Sequence, residues 1–446
     1  MTLVQTSHTK TDWLHTIAPR AELPYVARAA APASKTLRIA LAGCGVVGGA
    51  LVRLLHECSD TIAARHGLRV EIARVLVRDT ARERGLPIQR DIFTSDIASF
   101  ITEEVDVVIE AIGGNDAAGR VARAALGNGK RFITANKELI AGSGCELSAL
   151  AHTFDGSLDF GASVGGSAPV VSLLRDLLGT SAPRSVRGIL NGTSNFVLTQ
   201  IERGRSFDEA LAAARRLGLA EADVSRDLDG RDAAAKLAII AWLSFGVNPA
   251  SLLVRRIGLP RDPSRLISHA ADLGARIRLI GECTALAGNR LTASVEPVAV
   301  DPRSSFARTE LEENRVEVDL GWPAPLSVSG PGAGGAPTAT ALLGDLLSSY
   351  SPRNDRGATR TSFVPVDDPC EHRWLVVAEC RAAILEAALD EAGIRTEDIR
   401  RKGCDTRAIT SSRFSVLSPA VALLQLQGID VSLARLETAE AGAPLQ

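Results

Sequence analysis

The sequence predicts an α/β fold: a doubly wound parallel sheet, an inserted α+β unit, and a small separate unit at the carboxyl end. Three observations carry this. From Leu37 to Thr134, short apolar runs alternate with stretches of helical spacing, the pattern of a parallel sheet covered by helices. After about residue 165 that alternation loosens, and strand-like runs gather at 276–286, 291–300 and 315–320. A polar, punctuated stretch at 351–360, SPRNDRGATR, sets off the residues from about 361 onward.

Residues 1–36 carry no clear periodicity and are broken by Pro19, Pro24 and Pro32, so they read as an extension. They lack the apolar core of a signal peptide. Strands are expected at Leu37–Ala42, Val70–Val77, Val105–Ile112 and Arg131–Thr134, with a helix from Gly49 to Cys58. Strand-like Val186–Leu190 follows, then helices near 193–203, 207–217, 230–245 and 264–273. A glycine-rich segment, Gly330 to Gly335, precedes a helix from Pro337 to about Ser349. The expected division is therefore 1–36, 37–164 with 330–350, 165–329, and 361–446.

Composition excludes several classes. Hydrophobic residues at 46% rule out global disorder. Fifty basic against 52 acidic residues leave a net charge of −2, which argues against nucleic-acid binding by an overall field. Long uncharged runs are broken by glycine and polar residues, so no transmembrane helix is expected. The seven cysteines form no Cys-x-x-Cys pair and read as reduced thiols of a cytoplasmic protein.

Gly43-Cys44-Gly45-Val46-Val47-Gly48 fits G-x-G-x-x-G, after a predicted strand and opening a predicted helix. In a Rossmann-type dinucleotide site the first glycine makes the tight turn. The second lets backbone approach a pyrophosphate, and the third lets helix pack on strand. The second strand ends in Val77-Arg78-Asp79. Arg78 there either reaches a ribose 2′-phosphate, which admits NADP, or is an ordinary solvated arginine.

Lys137, just past the Arg131–Thr134 strand, lies where ligands bind in open α/β sheets, though position alone equally suits a surface lysine. Asp232 and Lys236 lie four apart on a predicted helix that is apolar nearly all round. Burial lowers a lysine's pKa and suits it to proton transfer. A structural ion pair is the competing reading. Glu221, Asp223, Asp227 and Asp229 make an acidic loop, suited to an ammonium group or merely solvated. Asn191-Gly192-Thr193 offers polar groups at a helix start, or a simple N-cap.

Together these segments resemble homoserine dehydrogenases. The matching stretches are GCGVVGG, TANKELIA (134–141), ASVGG (162–166), GILNGTSNFVLTQ (188–200), AEAD (220–223), DLDGRDAAAKLAI (227–239) and GPGAGGAPTA (330–339). They stand in the family's order over residues 38–350. The resemblance implies reversible reduction of L-aspartate 4-semialdehyde to L-homoserine by NADPH or NADH, in threonine, methionine and isoleucine biosynthesis. It implies Lys236 as the proton donor, with Asp232 and Lys137 beside it. Glu221, Asp227, Asn191, Gly192 and Thr193 fall on the substrate side. Gly43, Gly45, Val46, Val47, Gly48, Arg78, Ile112, Gly113, Lys137 and Gly332 fall on the cofactor side. A homodimer or homotetramer is the implied assembly.

Two departures from the family follow. The tail resembles an ACT domain, with its βαββαβ order: Trp374–Ala378 as first strand and Ala382–Ala392 as first helix. Cys380-Arg381-Ala382-Ala383 replaces the usual Asp-Arg-Pro-Gly turn, so effector binding is expected to be weak or absent. The family also binds a monovalent cation, Na or K, through backbone carbonyls that here belong to Val164, Gly166 and Ala168. Gly161 stands where the family has a glutamate, so a neutral, weaker site is expected, unless Asp159 takes over. Two other readings remain: a related amino-acid aldehyde as substrate, or a non-catalytic ACT regulatory protein. An aspartate-semialdehyde dehydrogenase would need a nucleophilic cysteine with a histidine partner, and no such pairing is visible.

Overall fold

The computed structural model describes residues 35–177, 182–220, 223–332, 334–348 and 364–437. Most of the expected extension and the whole stretch 351–360 lie outside these residues. Six strands build the first sheet: β1 (Lys35–Ala42), β2 (Leu68–Leu76), β3 (Phe93–Thr94), β4 (Val107–Glu110), β5 (Arg131–Thr134) and β6 (Ser157–Asp159). They run parallel in the order β3-β2-β1-β4-β5-β6, the doubly wound arrangement. Both faces are buried, which explains the near-continuous apolar runs. Leu37, Ile39, Leu41, Val107, Ile109 and Ile133 face one helical layer. Ala40, Ala42, Val108 and Phe132 face the other. The expected Val105–Ile112 strand is shorter because the chain turns after Glu110. The first helix begins earlier than the spacing suggested, at Val46 rather than Gly49.

The second sheet takes β7 (Ser185–Ile189), β8 (Arg255–Arg256), β9 (Arg276–Leu286), β10 (Arg290–Val300), β11 (Glu313–Asp319) and β12 (Leu326–Pro331). The long antiparallel pair β9–β10 forms its centre. The helix Arg231–Phe245 lies against it, with Leu237, Ile239 and Ile240 packed among Leu279, Cys283 and Val295. The helix Gly335–Ser348 then returns to the first domain, where Ala339, Leu342 and Leu346 join Leu37, Ile39 and Leu51. The sequence reading missed β6 and β12, which are short or only half buried.

The carboxyl-terminal residues add β13 (Val364–Pro365), β14 (His372–Ala378), β15 (Thr396–Lys402), β16 (Asp405–Ser412) and β17 (Val431–Leu436). Helices Ala382–Glu391 and Phe414–Leu426 complete a βαββαβ order from β14 to β17. The unit is less separate than its sequence suggests. β17 pairs with β10, so its strands extend the second sheet as β12-β11-β7-β9-β10-β17-β14-β16-β15. Arg435 of β17 binds Glu282 (2.5 Å) and Glu296 (3.2 Å) across that seam.

Candidate active site

The glycine turn sits at the carboxyl end of β1, where the strand order reverses between β1 and β4. Each glycine has its own reason. Gly43 has φ +93°, and a Cβ there would lie 2.5 Å from the Ala111 carbonyl oxygen. A Cβ on Gly48 would lie 2.0 Å from the Gly43 carbonyl oxygen. A Cβ on Gly45 would meet nothing within 4 Å, so the space above it is open. No side chain caps the helix that starts at Val46, leaving its first N–H groups for an anion. The turn therefore fits a dinucleotide pyrophosphate. Val46 is 77% exposed and abuts Gly335. Arg78 is exposed just past β2, and Asp79, exposed beside it, accepts the backbone N–H groups of Ala81 and Arg82.

The two lysines converge on one carboxylate. Asp232, at the start of its helix, binds Lys236 at 2.9 Å and Lys137 at 3.0 Å. Lys236 Nζ also donates to the Leu190 carbonyl oxygen (2.8 Å). Asn191 Nδ2 donates to both Asp232 (2.8 Å) and Asp227 (2.7 Å), and its Oδ1 caps the helix Gly192–Glu202. Burial works against a charge on Asp232. Lys236 and Lys137 outweigh it and hold the carboxyl below the usual carboxylate range. Burial pushes Asp227 the other way, with Asp232 beside it adding to the rise. For Lys137 burial opposes the charge, but Asp232 prevails and the ammonium is held above its ordinary value.

Other sequence-assigned residues divide. Thr193 spends its hydroxyl on the Leu219 carbonyl (2.7 Å), and Gly192 gives room to the backbone of Glu312. Asp229 pairs with Arg231 and Asp223 caps Ser225, so neither is free for an ammonium group. Gly332 is buried against Asn314. Ile112 and Gly113 form the turn after β4, beside the glycine turn. Glu221 lies outside the described residues. Sequence reasoning missed Asn314, which reaches the Leu190 carbonyl at 3.5 Å from β11, and Glu110 beneath the Ile112 turn. Nothing local marks Asn314. Glu110 was visible as an acid within the apolar run Val105–Ile112.

Asp159 is held by Arg131 (2.9 Å) and Arg175 (3.0 Å) and does not take the place of a residue-161 carboxylate. The carboxylate that stands beside Gly161 is that of Asp345, from the helix Gly335–Ser348: a Cβ on Gly161 would fall 2.3 Å from its Oδ1. Gly161 and Asp345 line a cavity of 240 Å³ with Gly166, Ala168 and Thr340. The partly buried Asp345 carboxylate is an oxygen donor that suits a monovalent cation, while the Arg175 guanidinium lines the same cavity and opposes one. A side chain at 161 would force the Asp345 carboxyl to shift, so Gly161→Glu would set two carboxylates against each other.

Residues 43–158 match the sequence pattern of the family described as "Homoserine dehydrogenase, NAD binding domain", and residues 169–347 that of "Homoserine dehydrogenase". The chain is 35% identical to homoserine dehydrogenase of Bacillus subtilis, over 74% of this chain and 76% of that one. The chain belongs to the homoserine dehydrogenase family. The Corynebacterium glutamicum homoserine dehydrogenase is 34% identical over 88% of this chain and 93% of its own. Among solved structures, a homoserine dehydrogenase from Thiobacillus denitrificans superposes with a TM-score of 0.77 at 28% identity, covering 90% and 98% of the two chains. A hyperthermophilic archaeal homoserine dehydrogenase in complex with NADPH shares the fold, with a TM-score of 0.58 at 23% identity. As a homoserine dehydrogenase, the chain is an NAD(P)-dependent oxidoreductase that interconverts L-aspartate 4-semialdehyde and L-homoserine. Among the described residues no helix is long and apolar enough to cross a membrane.

Proposed function

We propose that Lys236 is the proton-transfer residue of this reaction. Two of its three ammonium N–H groups are committed, to Leu190 and Asp232, and the third is left for the substrate oxygen. When bound, the dinucleotide supplies or accepts the hydride. Lys236 then gives a proton to the carbonyl oxygen, or takes it from the alcohol. Asp232 holds the Lys236 side chain in place and ties it to Lys137 on the cofactor side. Asn191 sets the spacing of Asp227 and Asp232, and Asp227 with Glu221 receives the substrate's ammonium group. The observation that carries this reading is the buried Asp232 carboxylate shared by two lysines. Lys236→Ala is expected to cut kcat by ~10²–10⁴ while leaving NADPH affinity nearly intact. A folded variant that keeps more than half the wild-type kcat refutes the assignment.

The glycine turn, Ile112, Gly113 and Gly332 form the cofactor side of this reading, and exposed Arg78 admits NADP as well as NAD. Residues 165–329 carry the substrate and the contact between copies of a homodimer or homotetramer in the cytoplasm. A weak monovalent-cation site uses carbonyls of Val164, Gly166 and Ala168 with Asp345. The βαββαβ tail acts as a degenerate ACT domain.

A further inference from the structure

Glu110 closes β4 and is fully buried, with no ion-pair partner among the described residues. A carboxylate in such a place is costly unless its bonds hold something. Its Oε1 accepts the backbone N–H groups of Ile112 (2.7 Å) and Gly113 (3.0 Å). Its Oε2 accepts the Thr134 hydroxyl (2.5 Å) from the adjacent strand end. That hydroxyl oxygen accepts the Asn136 N–H (2.9 Å). Asn136 Nδ2 donates to the Gly114 carbonyl (2.6 Å), and its Oδ1 caps the helix Lys137–Thr153. Gly113 and Gly114 have φ of +78° and +71°, and a Cβ on either would meet nothing within 4 Å. One side of this turn is thus tied to Glu110, and the other is open beside the glycine turn that Gly43 packs onto Ala111.

We propose that Glu110, through Thr134 and Asn136, is a positioning residue: it fixes the Ile112–Gly114 turn under the cofactor and the start of the Lys137 helix together. One buried carboxylate then sets the relation between the hydride carrier and the Lys137–Asp232–Lys236 cluster. This rests on the cofactor reading given above. A merely structural Glu110 would affect melting and leave cofactor affinity of the folded enzyme unmoved.

The test uses the full chain with E110Q, T134V and T134S. NADPH affinity is read by fluorescence titration, kcat and both KM values by steady-state kinetics, and folding by thermal melting. In E110Q the amide oxygen stays on the Ile112 and Gly113 N–H groups and Nε2 faces Thr134 as a donor, so the hydroxyl loses its acceptor, and T134V has no hydroxyl to offer. Each is expected to raise the NADPH Kd by about tenfold or more, the loss of one hydrogen bond to the buried acid, and to lower kcat. The KM for homoserine should move much less. T134S keeps the hydroxyl and should behave as wild type. If E110Q does not fold, the comparison of T134V with T134S decides. Folded E110Q and T134V with unchanged Kd, or T134S as impaired as T134V, overturn the proposal. Wild-type enzyme that does not bind NADPH strikes the cofactor reading instead.

Discussion

Asp232 and Asp345 are both buried carboxyls, and their surroundings give them opposite behaviour. Asp232 has two lysines within 3.0 Å, so its ionised form is favoured in the folded protein. Its contribution to stability is present above the ordinary carboxylate range and is lost as pH falls below it. Asp345 has burial against it, Asp159 as a further unfavourable neighbour, and only Arg175 with two backbone N–H groups in its favour. Its pKa is pushed up to about 6. A raised acid pKa means the folded chain holds the proton more tightly, so stability falls as pH rises from about 4 to about 6, by about 3 kcal/mol at most. Asp345→Asn is therefore expected to melt higher than wild type at pH 7.5 and level with it at pH 4, in choline chloride. Adding NaCl or KCl at fixed ionic strength should narrow the gap at pH 7.5 by stabilising the wild type alone. Equal melting of the two proteins across this range would remove the strained carboxylate from the account.

At the scale of elements, the glycine turn and the helix Arg231–Phe245 do different work. The turn holds two elements close and leaves a space above them, and two substitutions separate those roles. Gly48→Ala puts a methyl group 2.0 Å from a backbone oxygen that cannot move aside, so it should lower the melting temperature and impair binding together. Gly45→Ala meets no protein atom, so it should melt as wild type yet raise the NADPH Kd by about tenfold or more, by crowding the phosphates. Melting curves and fluorescence titration of the two variants check this. If Gly45→Ala binds normally, the open space is not the phosphate site. The helix supplies rigidity. Its sides are packed among buried apolar residues and its Trp242 stacks on Phe160 at 5.3 Å, so Asp232 and Lys236 are held on a fixed frame.

At the scale of the molecule, the carboxyl-terminal unit is joined to the middle domain by sheet and by charge. Besides the β17–β10 pairing, Lys402 binds Asp272 (2.9 Å), and Arg187 binds Glu437. Removing residues after Ser348 would leave Glu296 with Arg255 alone and bare the edge of β10. Such a truncation is expected to lower solubility and melting temperature, so it is a poor probe of regulation. Threonine sensitivity is better measured on the full chain. Cys380 and Arg381 lead directly into the helix Ala382–Glu391 with no side-chain cap and no Pro-Gly turn. Saturating threonine is expected to leave the rate essentially unchanged. Strong inhibition would show that another part of the unit receives the effector.

The sequence by itself determined the strand–helix alternation, the glycine turn, the Asp232–Lys236 spacing and the family. These are local in the chain: periodicities of two and 3.6 residues, or motifs a few residues long. Arg131–Thr134 and Arg276–Leu286 were legible to the residue because their apolar runs end at turns. Tertiary structure alone decided what meets across distance. Lys137 and Asp232 are far apart in the chain and meet only because the helix Arg231–Phe245 packs against the helix Lys137–Thr153. Asp345 fills the space beside Gly161 from a helix near the end of the catalytic region. Asn314 reaches Leu190 only because β11 pairs with β7. Such contacts leave no spacing in a single sequence. Their chemistry, a charge with or without its counter-charge, depends on which buried groups the packed sheets bring together.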